Sequence, residues 1–292
     1  MKLPAFDYDR PGNLAEAVAI LAADEGARPM SGGQSLIPVL AFRLAEPTRL
    51  VDLRGIAEMK GIEIDGGGVR LGALVRWRDI EDDARLLTAH PLLAEAISHV
   101  AHYQIRNRGT VGGSLAHADP AAEMPGIAVA CDAVLTVAGA AGTRTVAAGD
   151  FFLGPLATAL EPGEILVEVR LPAWPAGRRW GFREFARRRG DFALAGIALF
   201  FDEADGRARN VHIGVIGTGD RPQRLGAAEA VLEGNAVTPE TIRAVGAAVS
   251  AAVDMHDDVH ASAAYREALA GALAERALCA ASGIPESEIE RT

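Results

Sequence analysis

The chain has 292 residues, 49% hydrophobic and 23% charged, which is ordinary globular composition at a length that suggests two packed domains rather than one. Its formal net charge of −10 (39 Asp+Glu against 29 Lys+Arg) argues against a nucleic-acid partner, because phosphate backbones would repel it. Two cysteines, Cys131 and Cys279, are too few for a disulfide framework, a four-thiolate zinc site or an iron–sulfur cluster. No run reaches the ~18 apolar residues of a membrane span, and the start lacks the apolar core of a signal peptide, so a soluble, cytoplasmic protein is expected.

In chain order, residues 13–26 put Leu14, Ala17, Val18 and Leu21 on one helical face, with Asn13 to cap the start and Gly26 to end it. A short strand over 27–30 runs into Ser31-Gly32-Gly33-Gln34-Ser35. A helix then turns Leu36, Val39, Leu40 and Leu44 inward, and 50–53 reads as a second strand. Residues 61–64 and 69–71 alternate with period two around Asp65-Gly66-Gly67-Gly68, a hairpin signal. Helical segments over 77–87 and 91–102 precede a glycine-rich turn from Arg108 to Ser114. The small-residue stretch 120–130 leads to a second hairpin, 133–138 against 143–147, and 164–171 is a further strand closed by Pro172. Residues 172–177, rich in proline and glycine, read as a linker. Beyond it, 179–187, 192–201 and 211–216 read as three antiparallel strands, and 224–232, 239–253 and 265–281 as helices. The expected fold class is α+β in two domains.

The two glycine segments carry the chemical signal. Backbone N–H groups converge on a phosphate only where the chain can take unusual φ values and approach closely, and a helix starting just beyond adds its positive end. Each segment alone could be an ordinary turn. Two of them about 80 residues apart suggest a ligand with two phosphates, approached from both sides. Neither is a GxGxxG fingerprint nor a GxxxxGK[ST] loop, which weakens a Rossmann or NTPase reading. The chain shows no Ser/His/Asp set, HExxH or CxxC, so no nucleophile, resident metal or redox dithiol is nominated. Arg187-Arg188-Arg189 is the only dense basic run, and it reads equally as a solvated strand end.

MSGGQSLIPVL (30–40), HYQIRNRGTVGGSLAHADPAAEMP (102–125) and FREFARRRGDFALAGIAL (182–199) together resemble the FAD-binding medium subunits of the molybdenum hydroxylases, the xanthine dehydrogenase and aerobic carbon monoxide dehydrogenase family. The likeness implies a two-subdomain FAD-binding domain of the PCMH type over 1–174, with subdomains of about 1–55 and 56–174. It further implies a small C-terminal domain over 178–284, with a three-stranded antiparallel sheet and helices. It makes Pro29, Met30, Ser31, Gly32, Gly33, Gln34, Ser35 and Leu36 a pyrophosphate and ribityl cradle, and Thr110, Gly112, Gly113 and Ser114 a clasp on the diphosphate from the other side. His117, just after that clasp, becomes a candidate contact, and Glu123 falls near the adenosine half. Leu166 would line the site, Arg183 stands where several relatives have a lysine that contacts FAD, and Arg187 to Arg189, with Gly190 and Asp191, would lie near the flavin or a subunit contact. Molybdopterin and [2Fe–2S] clusters are then expected only on partner subunits, a large molybdenum subunit and a small iron–sulfur subunit. Electrons would leave this chain's FAD to NAD, a quinone or oxygen. Two other readings stay open from the residues: a self-sufficient FAD-dependent oxidase or dehydrogenase, and a non-redox nucleotide-binding assembly module.

Overall fold

A computed structural model describes residues 2–289; Met1, with which the expected first domain opens, and residues 290–292 lie outside the described residues. The first part of the chain forms β1 (Asp7–Asp9), α1 (Leu14–Ala23), β2 (Ala27–Met30), α2 (Leu36–Ala41) and β3 (Arg49–Asp52). The three strands pair in parallel in the order β1-β3-β2. Pro29 is tolerated in β2 because that strand is an edge. The Asn13 side chain caps α1 by accepting from the Glu16 N–H. β1, with sequence Asp-Tyr-Asp, has no apolar periodicity, and Arg49 of β3 ties it down through ion pairs to Asp7 and Asp9.

Residues 62–172 build a five-stranded antiparallel sheet from β4 (Ile62–Asp65), β5 (Gly68–Gly72), β6 (Val134–Gly139), β7 (Gly142–Ala147) and the later strand described below. Between the two hairpins lie α3 (Trp77–Asp82), α4 (Leu86–Ala89), α5 (Pro91–His99), α6 (Tyr103–Arg106), α7 (Val111–His117) and α8 (Glu123–Ala130). After β7 come α9 (Ala148–Phe151), the short hairpin β8 (Phe152–Gly154) and β9 (Ala157–Thr158), and finally β10 (Ile165–Pro172). The sheet order is β4-β5-β10-β6-β7, so the last strand of the set occupies its centre. Its residues Ile165, Leu166, Val169 and Leu171 are buried. Arg70 of β5 meets Glu168 of β10 at 2.7 Å.

The C-terminal part contains β11 (Arg179–Phe185), β12 (Ala195–Ala204), β13 (Arg207–Ile216), β14 (Gln223–Arg224), α10 (Gly226–Leu232), α11 (Pro239–Ala252) and α12 (Ala263–Ser282). The sheet has four strands rather than the expected three, because the two-residue β14 adds to β13. Thr238 caps α11 ahead of Pro239, while Ser262 and the left-handed Gly283 bound α12.

The fold is α+β, as expected, with two departures that bear on the site. Helix α2 stops at Ala41, three residues before the expected inward Leu44, which is 77% exposed. The glycine-rich turn is largely helix α7. The linker is pinned rather than free. Trp174 packs on His90 at 4.6 Å and Phe200 at 5.2 Å between ring centres, and one buried cluster runs from α5 and β10 into Phe182, Phe200 and Ile216.

Candidate cofactor site

The first glycine segment leaves β2 and enters α2. Among the described residues, no hydrogen bond is made by the backbone N–H groups of Ser31, Gly32, Gly33, Gln34, Ser35 or Leu36. Their carbonyls are used: Gly33 accepts from Ile37 at 3.2 Å, Ser35 from Val39 at 3.1 Å, and Gly32 from the Gln34 side chain at 3.0 Å. Six consecutive donors without partners, at the start of a helix, are a donor set that suits an oxyanion. A diphosphate matches that donor set, so the residues present fit the phosphate portion of FAD.

The second segment lies directly against the first. Thr110 donates from its hydroxyl to Ser31 Oγ at 3.0 Å. A β-carbon on Gly32 would stand 2.2 Å from the Arg108 carbonyl oxygen and 2.9 Å from Gly109 Cα, so only glycine permits the contact. Yet this segment does not offer its amides outward. Val111 and Gly112 donate to the carbonyls of Val75 and Ala73 at 2.9 and 2.8 Å, and Gly113 donates to Thr110 Oγ1 at 3.1 Å. Gly112 is buried, and a β-carbon there would lie 2.3 Å from Ala73 Cβ, so its smallness serves the packing of α7 on the turn after β5. What α7 turns toward the first segment is Thr110, Gly113 and the hydroxyl-bearing Ser114, with His117 one turn further at the helix end.

The remaining candidates are dispersed. Pro29 and Met30 belong to β2, and Met30 is buried with Leu40 and Leu50 under the loop. Leu166 is buried in β10 opposite Val137. Arg183 is not brought to either glycine segment. Its guanidinium donates to the Phe182 carbonyl at 2.9 Å and lines a cleft of about 430 Å³ beside Glu95, Ala280 and Ala281, because β11 directs it to the α12 side of the sheet. Glu123 opens α8 and is buried, which pushes its carboxyl up to about 7, with Asp119 adding to the rise.

Two charged features escaped the sequence reading. Asp52, fully buried at the end of β3 opposite Met30, accepts from Tyr8 at 2.5 Å and from Arg54 at 2.6 Å. Burial works against its charge, but the Arg54 guanidinium and the Tyr8 hydroxyl prevail and hold it at about 2. Glu184 of β11 has a buried oxygen, Oε2, without a hydrogen-bond partner, and burial followed by the charge of Glu123 pushes it up to about 8. Both thiols are buried, and Cys131 is pushed up to about 12 by its burial. No helix among the described residues is long and apolar enough to cross a membrane.

The parallel β1-β3-β2 unit with its free-amide loop and the five-stranded sheet after it form one part, an FAD-binding domain, and β11 to α12 form a second. Residues 4–174 match the FAD binding domain in molybdopterin dehydrogenase, and residues 180–281 match the CO dehydrogenase flavoprotein C-terminal domain. The chain is 40% identical to the nicotine 6-hydroxylase medium subunit of Paenarthrobacter nicotinovorans, over 95% of this chain and 98% of that one. It is 36% identical to the carbon monoxide dehydrogenase medium chain of Hydrogenophaga pseudoflava, over 95% and 97%. Among solved structures, that carbon monoxide dehydrogenase aligns with a TM-score of 0.94 at 38% identity, covering 97% of this chain and 99% of that one. Quinoline 2-oxidoreductase of Pseudomonas putida 86 aligns at 0.93 and 39%, with the same coverage. The chain belongs to the FAD-binding medium subunits of the molybdenum hydroxylases, and is an oxidoreductase flavoprotein subunit.

Proposed function

We propose that this chain is the electron-transfer flavoprotein of a three-part cytoplasmic molybdenum hydroxylase. Bound FAD would supply the redox chemistry, and the chain would hold it between the [2Fe–2S] clusters of a small partner subunit, served in turn by a large molybdenum subunit, and an acceptor such as NAD, a quinone or oxygen. The observation that carries this reading is the run of six partnerless backbone N–H groups from Ser31 to Leu36. Those amides hold the diphosphate, Ser31 adds a hydroxyl from the same segment, and Thr110, which donates to Ser31, and Ser114 bring hydroxyls from the facing helix. Gly32 and Gly113 keep the two segments in contact, and Pro29 and Met30 brace the loop from β2. His117, Glu123 and Leu166 extend the lining, on the strength of the family resemblance. The division into an FAD-binding domain over 1–174, with subdomains of about 1–55 and 56–174, and a C-terminal domain over 178–284 is part of the same reading.

The test is a visible absorption spectrum of the purified chain, followed by acid release of its chromophore. Released FAD is the expected result, with binding restored when FAD is added back to stripped protein. A colourless protein that refuses FAD would overturn the proposal.

A further inference from the structure

Arg76, Arg106 and Arg108 lie at the turn that faces the free-amide loop, and the first two are already engaged. Arg76 is paired with Asp79 and donates to the Asn107 carbonyl at 3.4 Å. Arg106 is paired with Glu81 at 2.9 Å and donates to the carbonyls of Val100 and Ala101. Arg108 differs. Its side chain is exposed, and among the described residues it makes no hydrogen bond or ion pair. Its backbone, by contrast, is fixed against the loop. The Arg108 and Gly109 N–H groups both donate to the Ile105 carbonyl, at 3.1 and 2.7 Å, and the Gly109 carbonyl accepts from the Trp77 N–H at 3.2 Å. The Arg108 carbonyl oxygen is the atom that a β-carbon on Gly32 would approach to 2.2 Å. Neither Ser31 to Leu36 nor Gly109 to His117 contains a lysine or arginine, so Arg108 is the cation that stands beside both.

We propose that Arg108 is the charged partner of the FAD diphosphate, closing over phosphoryl oxygens that the amides from Ser31 to Leu36 hold from the other side. The inference rests on the flavin reading and adds to it a charge that the neutral amides lack. Backbone N–H groups bring only partial positive charge to a diphosphate, and the chain around it is acidic overall, at −10. A guanidinium brings a full charge and paired N–H donors that match phosphoryl oxygens. Arg76 and Arg106 could do this only by leaving a carboxylate behind. Arg108 has no such bond to break, and its long side chain starts from backbone already in contact with Gly32.

The full chain, stripped of flavin and titrated with FAD or with riboflavin, which carries no phosphate, tests the assignment by the change in flavin fluorescence. Arg108→Gln should weaken FAD binding about tenfold, leave riboflavin binding unchanged and make FAD affinity less sensitive to salt. Arg108→Lys should recover part of the loss, because lysine keeps the charge without the paired donors. Arg209→Gln removes an exposed charge from β13 and should bind FAD like the parent. FAD affinity in Arg108→Gln within about twofold of the parent would overturn the proposal. So would an equal loss of riboflavin, which would make the role structural, or an equal loss in Arg209→Gln, which would make it one of overall charge. A parent chain that binds no FAD would refute the flavin reading and this inference with it. A parent that binds FAD no better than Arg108→Gln would refute this inference alone.

Discussion

Glycines with the same appearance in sequence act differently here. Gly32 lets one chain segment touch another across the site, whereas Gly112 lets a helix settle on the turn after β5. Gly32→Ala should force the segments apart, with about 1–3 kcal/mol lost from stability and a marked drop in flavin retention. Gly112→Ala should cost stability of the same order through overpacking, yet leave the flavin bound per folded molecule nearly unchanged. Thermal melts paired with flavin content separate the two, and equal flavin loss in both would refute the distinction. Asp52 gives a second test. Its folded value of about 2 lies below the ordinary 3.8, so its contribution is complete above about 4 and disappears as pH falls through about 2. Asp52→Asn should cost about 2 kcal/mol at neutral pH and remove that part of the acid dependence. An unaltered acid-unfolding curve in the variant would exclude the role.

At the scale of elements, the joint between β10 and β11 is held by Arg178. Its guanidinium lies 5.1 Å from the Trp174 ring centre and 4.5 Å from that of Phe200, and it is bidentate to Asp202 at 2.8 and 2.9 Å. Arg178→Ala should destabilise the chain by about 2–4 kcal/mol in urea unfolding, and Arg178→Lys should recover only part of it, because a lysine cannot both stack and fork. Full recovery by lysine would show that charge alone suffices. The hairpins and long C-terminal strands were legible in the sequence because their alternating residues carry the period of a half-buried sheet. Helix α7 was not, since Gly109, Gly112 and Gly113 signal a turn, and only Thr110 as cap and the carbonyls of Ala73 and Val75 make it a helix. Strands β1 and β14 escaped for the same reason: ion pairs to Arg49 and pairing with β13 create them, not local preference. The first segment of the site was readable from glycines between strand and helix. The meeting of Ser98 and His99 with Arg188 to Gly190 was not, because these residues lie some 90 positions apart and only the fold joins them.

For the whole molecule, Glu123 and Glu184 place raised carboxyls where α8 and β11 bring the two parts of the chain together. Both fold as neutral acids. Their contribution is complete below the ordinary value of 4.5 and is lost as pH rises through about 7 and about 8, so flavin-free protein should melt lower at pH 8.5 than at pH 5. The E123Q/E184Q double variant should lose most of that decline, and an equally steep profile would assign it to other groups. The position of β10 has a consequence in time rather than in space. Its neighbours β5 and β6 are made first and must wait, since their shared central partner ends at Pro172. At the usual ~5–20 residues per second of synthesis, the ribosome has spent on the order of ten seconds or more on this part before the sheet can close. The loop at Ser31 to Leu36 emerges early, but the helix that faces it packs in part on β10, the strand that closes last. Cofactor loading therefore follows synthesis of this part of the chain, and a nascent chain halted before β10 would leave the ribosome's exit with its glycine loop exposed and no flavin to show for it.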